Sequence, residues 1–309
     1  MRFVVTGGAG FIGSHIAEAL ARRGDEVVII DNLLSGRVEN IRHLLEMPTV
    51  TFLNGSITDQ PLLQRVCKDA DGIFHEAAIT SVPRSVKDPL ASNEINVSGT
   101  LNVLVAAQKC GVKKIVYASS SSVYGDTPTL PKREDMEPNP KSPYAITKLA
   151  GEYYLKVFHE LYGMDTISLR YFNVFGPRQD PHSEYSAVIP KFITKILNHE
   201  SPVIYGVGSQ TRDFTYVKDV AQANVRAMES NAQGVFNIAY GNRITLIELA
   251  QTIMETLGEA LPIRYEDGRL GDIHDSIADI SAAQRAFGYA PEYTVTTGLK
   301  ETIAWYKNQ

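Results

Sequence analysis

Tyr144 and Lys148 lie four residues apart in the segment Tyr144-Ala145-Ile146-Thr147-Lys148. On a helix that spacing puts a phenol and an ammonium on one face. A free tyrosine, with a pKa near ~10, is a poor base at neutral pH. A neighbouring cation favours the phenolate, and bringing the pKa to about 7 requires roughly 4 kcal/mol of differential stabilisation. The chemistry open to such a pair is general base catalysis on a hydroxyl. Alone, the pattern is common on solvated helices and decides nothing. Upstream stand four consecutive serines, Ser119, Ser120, Ser121 and Ser122. One of their hydroxyls could pass a proton between a substrate and Tyr144, although a plain serine-rich turn has the same composition.

Residues 7–13, Gly7-Gly8-Ala9-Gly10-Phe11-Ile12-Gly13, supply the context. Gly8, Gly10 and Gly13 fit G-x-G-x-x-G, and Gly7, Gly10 and Gly13 fit G-x-x-G-x-x-G. In either register the missing side chains permit a tight turn and let backbone amides approach a pyrophosphate at a helix N-terminus. A glycine motif is weak evidence until a strand precedes it and a helix and second strand follow, and here they do. Asp31 ends the second apolar run. A carboxylate there accepts hydrogen bonds from both ribose hydroxyls and repels a 2′-phosphate, which favours NAD over NADP. A positive nicotinamide ring would add to Lys148 in favouring the phenolate.

The elements that must position these residues are legible as alternating patterns. Apolar runs at residues 3–6, 27–30, 51–53, 72–75 and 114–118 are continuous, as in parallel strands covered on both faces. Ile12, Ile16 and Leu20 recur every four residues before Gly24, and residues 102–109 end the same way at Gly111. The βαβα order predicts an α/β Rossmann fold with a doubly wound parallel sheet, and residues 166–170 read as a sixth strand. The serines then stand at the carboxyl end of the fifth strand, where such sheets open their ligand crevice. Helical patterns follow at residues 188–198, 217–230, 246–257 and 295–306. The reading is an NAD-binding Rossmann domain over residues 1–175 and a smaller α/β substrate domain mainly over residues 176–309. The chain is expected to return to the sheet around residues 213–239.

Bulk properties bound the rest. The chain has 309 residues, 44% hydrophobic, with a formal charge of −5. That balance argues against nucleic acid as the main partner, since phosphate-backbone binding needs a basic surface. Cys67 and Cys110 lack metal-ligand spacing and read as reduced structural thiols. No window approaches the ~18 to 20 apolar residues of a membrane span. Met1 runs directly into a strand, leaving no room for a signal peptide, and a cytoplasmic location is expected.

Together these residues resemble the extended short-chain dehydrogenase/reductase family, specifically its nucleotide-sugar 4-epimerases. The resemblance runs through residues 6–13, Asp31-Asn32, His75-Glu76-Ala77-Ala78, Asn96, residues 119–125, 144–148 and 170–176, Arg212-Asp213-Phe214 and residues 269–272, nearly the whole chain. It implies NAD bound by Gly7, Gly10, Phe11, Ile12 and Gly13, by Asp31 and Asn32, and by Ser56 and Ile57. Ala77, Ala78, Asn96, Ser119, Tyr144, Lys148 and Tyr171 complete that set. Ser120 matches the family's catalytic hydroxyl by its distance before Val123-Tyr124-Gly125, with Ser122 assisting. Asn173 would hold the diphosphate or sugar, Arg212 and Arg269 would clamp the diphosphate, and Asp272 would bind the uridine ribose. Ser81, Gln179 and Val188 fall on the sugar side. One departure is Ser56, which stands where many relatives carry an adenine-binding aspartate; its hydroxyl can still bond the adenine edge.

The same fold serves several reactions, so the site must choose. In the resembling families, 4,6-dehydratases need an acid pair just before the Val-Tyr-Gly segment, and nucleotide-sugar decarboxylases have a glutamate there. This chain has only serines. That favours 4-epimerisation of UDP-hexoses through a transient 4-keto sugar, with NAD acting as a retained hydride store. The fourth residue after Asp272 is Ser276; in the related epimerases a small residue there leaves space for a 2-acetamido group. The expected substrates are UDP-glucose and UDP-galactose, together with UDP-GlcNAc and UDP-GalNAc. The alternative is UDP-glucuronate 4-epimerisation, which needs a group for the C6 carboxylate that the sequence does not identify. A non-catalytic NAD sensor could dispense with the Tyr/Lys pair, which this chain keeps. The resemblance also implies a homodimer. Leu101, Leu104, Val105, Leu149, Tyr153, Val157 and Leu161 serve equally as interface or core.

Overall fold

The structure, a computed structural model, describes residues 1–181, 187–267 and 275–309. The continuous apolar runs form one sheet of seven strands: β1 (Arg2–Thr6), β2 (Glu26–Asp31), β3 (Val50–Asn54), β4 (Gly72–His75), β5 (Lys114–Ser120), β6 (Asp165–Tyr171) and β7 (Gly234–Ile238). Their order is β7-β6-β5-β4-β1-β2-β3, and every neighbouring pair is parallel. The chain leaves β1 in one direction and later in the other, so a crevice opens at the carboxyl ends of β1 and β4.

The principal helices are α1 (Phe11–Arg22), α2 (Gly99–Cys110), α3 (Pro143–Tyr162), α4 (Val188–Leu197), α5 (Val217–Glu229), α6 (Leu246–Leu257) and α7 (Val295–Lys307). Both sheet faces are covered, which is why the strands are apolar without alternation. On one face Val5, Ile29, Val116 and Leu169 pack with Ile16 and Leu20 of α1 and Val220 of α5. On the other, Val4, Val28, Ile73 and Ile115 pack with Val103 of α2 and Leu155 of α3. A separate cluster gathers Ile189 and Phe192 of α4, Leu249 and Ile253 of α6, and Leu299 and Ile303 of α7.

The helix carrying the Tyr/Lys pair is set with care. The Ser142 hydroxyl accepts from Ala145 N at 3.2 Å, Pro143 occupies the first turn, and Gly163 stops the helix at φ +67°. Gly151 lets α3 approach β5, since a Cβ there would lie 2.3 Å from the Tyr117 hydroxyl. The structure also divides the apolar residues that the sequence left open. Leu104 is core, Leu101 and Val105 are partly buried against the same cluster and Leu149 against the cluster around Tyr124 and Phe172, whereas Tyr153, Val157 and Leu161 are exposed, as is Ile146.

Deep against β5 and β6, Glu152 of α3 forms a bidentate ion pair with Arg170: Nε donates to Oε1 at 2.9 Å and Nη2 to Oε2 at 2.7 Å. The Ser119 hydroxyl donates to the same carboxylate. Both charged side chains are only 4% exposed. Removing one partner strands the other in a low-dielectric interior. Glu152→Ala should therefore lower the unfolding free energy by about 3–5 kcal/mol in urea titrations, while an exposed control such as Glu160→Ala should stay within roughly 0.5 kcal/mol.

Candidate active site

The crevice is a cleft of about 1020 Å³ whose lining includes Gly7, Gly10, Phe11, Ile12, Gly13, Asp31, Asn32, Ser56, Ile57, Ala77, Ala78, Ser120, Ser122, Tyr144, Lys148 and Tyr171. Residues drawn from widely separated parts of the chain thus meet at one site. Its floor is bare backbone. A Cβ at Gly7 would lie 2.7 Å from Ala77 N, and one at Gly13 would lie 2.3 Å from Gly7 O. No larger residue fits this turn without moving backbone, and α1 begins immediately after it, presenting unpaired N–H groups to the cleft. Asp31 closes the β2 end: its Oδ2 accepts from Ala9 N at 3.1 Å and its Oδ1 from Leu33 N at 2.8 Å. Burial raises its carboxyl above the ordinary range, and these backbone donors oppose the rise. The Ser56 hydroxyl shares a bond with Thr58 Oγ1 at 2.8 Å at the cleft wall. This donor set fits a dinucleotide: amides for a pyrophosphate and a carboxylate for ribose hydroxyls.

At the other end of the cleft Lys148 Nζ donates to Ala118 O at 2.8 Å and stands 6.0 Å from the centre of the Tyr144 ring. Burial pushes the Tyr144 phenol up to about 12, with the nearby Ser120 hydroxyl working in the opposite direction. Burial also pulls the Lys148 ammonium down, opposed by the charge of Glu76. Ser120 Oγ accepts from Ser122 Oγ at 2.9 Å and from Ser122 N at 3.2 Å. With its acceptor capacity so used, its own proton is free to point elsewhere.

A smaller cavity of about 290 Å³ adjoins the cleft and is lined by Asn173, Val188 and Arg212, with Lys191, Phe192, Tyr205 and Gln210. Asn173 faces both spaces and is held at φ +34° by a bond from its Nδ2 to Asp213 O at 3.1 Å. Ser81 and Gln179 line the main cleft. The Ser81 hydroxyl caps the helix Val82–Lys87 by accepting from Arg84 N at 3.2 Å. Gln179 Oε1 is buried without a hydrogen-bond partner among the described residues.

Other expectations come out differently. Asn96 is buried behind the cleft. Its side chain is consumed by Ile79 N at 2.7 Å, Ile79 O at 2.9 Å and Thr147 Oγ1 at 3.0 Å, so it braces the wall. Ser119 does touch the cleft, but its hydroxyl is committed to Glu152. Ser276 lies beside the Arg212 turn, with its N–H on Thr211 O at 3.2 Å, and lines neither cavity. Arg269 and Asp272 lie outside the described residues.

Several cleft residues were not singled out from the sequence. Glu76 accepts from the Tyr171 hydroxyl at 2.9 Å, and that hydroxyl accepts from Asn224 Nδ2 at 2.8 Å. Burial raises the Glu76 carboxyl, against the pull of the Tyr171 bond and the Lys148 charge. Arg37, Arg84 and Trp305 also line the cleft. For Glu76 the sequence signals were its place in the segment His75-Glu76-Ala77-Ala78, where the resemblance gives it no role, and its position directly after β4, at the carboxyl edge of the sheet.

Residues 3–239 match the NAD dependent epimerase/dehydratase family. A UDP-N-acetylglucosamine 4-epimerase from Methanobrevibacter ruminantium M1, solved in complex with UDP-N-acetylmuramic acid, is 46% identical with a TM-score of 0.97, over 100% of this chain and 98% of that one. A UDP-glucose 4-epimerase from Mycolicibacterium smegmatis is 39% identical over 312 residues, covering 100% of this chain and 99% of the relative. The UDP-glucuronic acid 4-epimerase of Bacillus cereus, solved with UDP-glucuronic acid and NAD, is 31% identical with a TM-score of 0.93, over 100% and 99% of the two chains. The chain belongs to the NAD dependent epimerase/dehydratase family, and NAD is its cofactor. Among the described residues no helix is long and apolar enough to cross a membrane.

The burial of Tyr144 has a direct consequence. In cofactor-free protein, the difference in phenolate absorbance between wild type and Tyr144→Phe should be absent through the usual tyrosine range near ~10 and grow only toward pH 12. A Tyr144 transition at or below the usual value would contradict this account of the site.

Proposed function

We propose that the protein is a UDP-sugar 4-epimerase acting on UDP-glucose and UDP-galactose and on the N-acetylated pair UDP-GlcNAc and UDP-GalNAc. The observation that carries this reading is the meeting of Tyr144, Lys148 and a serine-only strand end in the dinucleotide cleft. NAD, when bound, supplies reversible hydride acceptance at the sugar's C4. The proton is handled by the chain itself. Tyr144 takes it from the 4-hydroxyl, directly or through Ser120, and returns it after the sugar has presented its other face. Lys148 favours the phenolate electrostatically, and Ser122 orients Ser120. Asn173, Arg212 and Arg269 hold the diphosphate and Asp272 the uridine ribose while the sugar turns, and Ser81, Gln179 and Val188 flank the turning sugar. The breadth toward N-acetylated sugars is supported by the 46% identity to a UDP-N-acetylglucosamine 4-epimerase; Ser276, the fourth residue after Asp272, is small but lines neither cavity.

One observation favours a second reading, UDP-glucuronate 4-epimerisation. Arg84 lines the cleft close to Ser81 in sequence, and its guanidinium has no partner among the described residues. A guanidinium there is suited to a C6 carboxylate. We further propose a homodimer built on α3, supported by the exposed stripe of Ile146, Tyr153, Val157 and Leu161. Those positions recur at helical spacing.

Purified protein should equilibrate UDP-glucose with UDP-galactose and UDP-GlcNAc with UDP-GalNAc, read by NMR of the products, with UDP-glucuronate as a third arm. Turnover of UDP-glucuronate alone would replace the main reading, and a 4-keto-6-deoxy product would remove epimerisation altogether. Tyr144→Phe should lower kcat by about 10²- to 10⁴-fold without loss of bound NAD. Ser276→Tyr should damage turnover of the N-acetylated pair selectively; equal damage to both pairs would take Ser276 out of that role. In sedimentation experiments, Val157→Glu with Leu161→Glu should convert a dimer to a monomer, and a wild type that sediments as a monomer would dispose of the interface.

A further inference from the structure

The segment after Val174–Phe175 does not turn away from the cofactor cleft. Residues 177–180 are each tied to a different group. Pro177 O accepts from His15 Nε2 at 3.0 Å, and Arg178 pairs with Glu18, both ties falling on α1. Gln179 O accepts from the Tyr306 hydroxyl of α7. Asp180 Oδ2 accepts from Arg37 Nη2 at 2.7 Å. Arg37 is itself fixed to the glycine turn, its backbone N–H donating to Ala9 O at 2.9 Å. Arg37, Arg178, Gln179 and Asp180 line the same cleft as Gly7 and Asp31. The segment is therefore a strap running from the α1 flank to the loop beyond Asp31.

Its ties are unequal. The Arg178–Glu18 side chains are 13% and 14% exposed, whereas Arg37 and Asp180 are 51% and 32% exposed. An ion pair that open to water contributes little to the fold and can break without unfolding it. Among the described residues it joins the strap to the ribose side of the cleft, together with a longer contact of 3.4 Å between Arg178 Nη2 and His43 Nε2. We propose that Arg37 and Asp180 form the latch of the cofactor cleft: the pair closes the strap over the bound dinucleotide, and its opening governs how fast the dinucleotide leaves. The inference rests on NAD as cofactor and not on any identity of the sugar. Neither residue takes part in the proton chemistry assigned to Tyr144.

The chain reports on its own cleft. It has one tryptophan, and Trp305 lines the cleft, so energy transfer from Trp305 to bound NADH reads occupancy without turnover or sugar nucleotide. Release of NADH into excess NAD would be followed by stopped flow. At low salt Asp180→Asn and Arg37→Gln should each speed release by about two- to fivefold. The double variant should be no faster than either single one, because both remove the same pair. Raising ionic strength should speed release from wild type and leave the variants nearly unchanged. Unchanged release in Asp180→Asn overturns the latch. Acceleration by Arg37→Gln alone overturns it too, since Arg37 would then act on the dinucleotide directly, and so does a multiplied effect in the double variant. A protein that shows the latch but epimerises no sugar would leave this inference standing and remove only the proposed reaction.

Discussion

The ion pair between Glu152 and Arg170 holds together the parts of the molecule on which any chemistry here depends. Glu152 lies one helical turn after Lys148 on α3, Arg170 immediately precedes Tyr171 on β6, and the third member, Ser119, immediately precedes Ser120 on β5. One buried carboxylate thus fixes the helix bearing the phenol and ammonium against both strand ends that face it. A buried pair of this kind is not needed for compactness, since apolar residues of like volume often stabilise as well. Its two-pronged geometry instead restricts how α3 can slide or rotate on the sheet. Among the described residues Arg170 Nη1 has no hydrogen-bond partner, and the guanidinium lies 4.6 Å from the centre of the Tyr124 ring. The joint therefore retains an unsatisfied polar atom, which suggests that position, more than stability, is what it supplies.

Within that fixed frame the electrostatics are set by burial. The Tyr144 phenol is pushed up, the Lys148 ammonium is pulled down and the Glu76 carboxyl is raised, desolvation being the largest cause in each case. All three shifts favour the neutral form. The protein matrix alone consequently opposes the phenolate that general base chemistry requires. An ionised Glu76 opposes it further, since its charge raises the phenol, yet the same charge supports the ammonium of Lys148. The site is thus poised so that a positive charge brought in with a ligand would have a large effect on Tyr144, because the buried phenol lies in a low-dielectric surrounding.

The sequence made much of this frame readable. Continuous apolar runs marked the strands because both faces of the sheet are covered, and the glycine turn and Asp31 were visible because their chemistry is local. What depended on tertiary packing was not visible. Glu76 gained its significance from a phenol 95 residues away on β6. Arg37 and Asp180, 143 residues apart, carry no pattern that would pair them. Asn96 and Ser119 could be placed near the site, but not the fact that their polar groups are spent on Ile79, Thr147 and Glu152. Likewise, helical periodicity could not separate Leu104 from Leu161, because a core face and an association face share one spacing; only burial distinguishes them.

The same tertiary logic explains how the smaller cavity is kept in register with the sheet. Asp213 is wholly buried and accepts from three backbone N–H groups, those of Tyr240, Gly241 and Ala278, at 3.0 to 3.2 Å. Two of these follow β7, and the third lies on the return segment after residue 275. The Asp213 carbonyl in turn receives Asn173 Nδ2, and Thr215 Oγ1 donates to Phe172 O at 2.7 Å. Asn173 tolerates its positive φ because asparagine is among the few non-glycine residues that enter that region readily. Asn173, bonded to the Asp213 carbonyl, and Arg212, next to Asp213 in the chain, are thereby referenced to β6 and β7 of the same sheet that carries Ser120 and Tyr171. Polar side chains buried against backbone amides are poor hinges, because opening them would leave several donors unpaired at once. The cleft and the adjoining cavity therefore keep a fixed mutual geometry at their shared wall, and a ligand spanning both must accommodate itself by rotation within its own bonds.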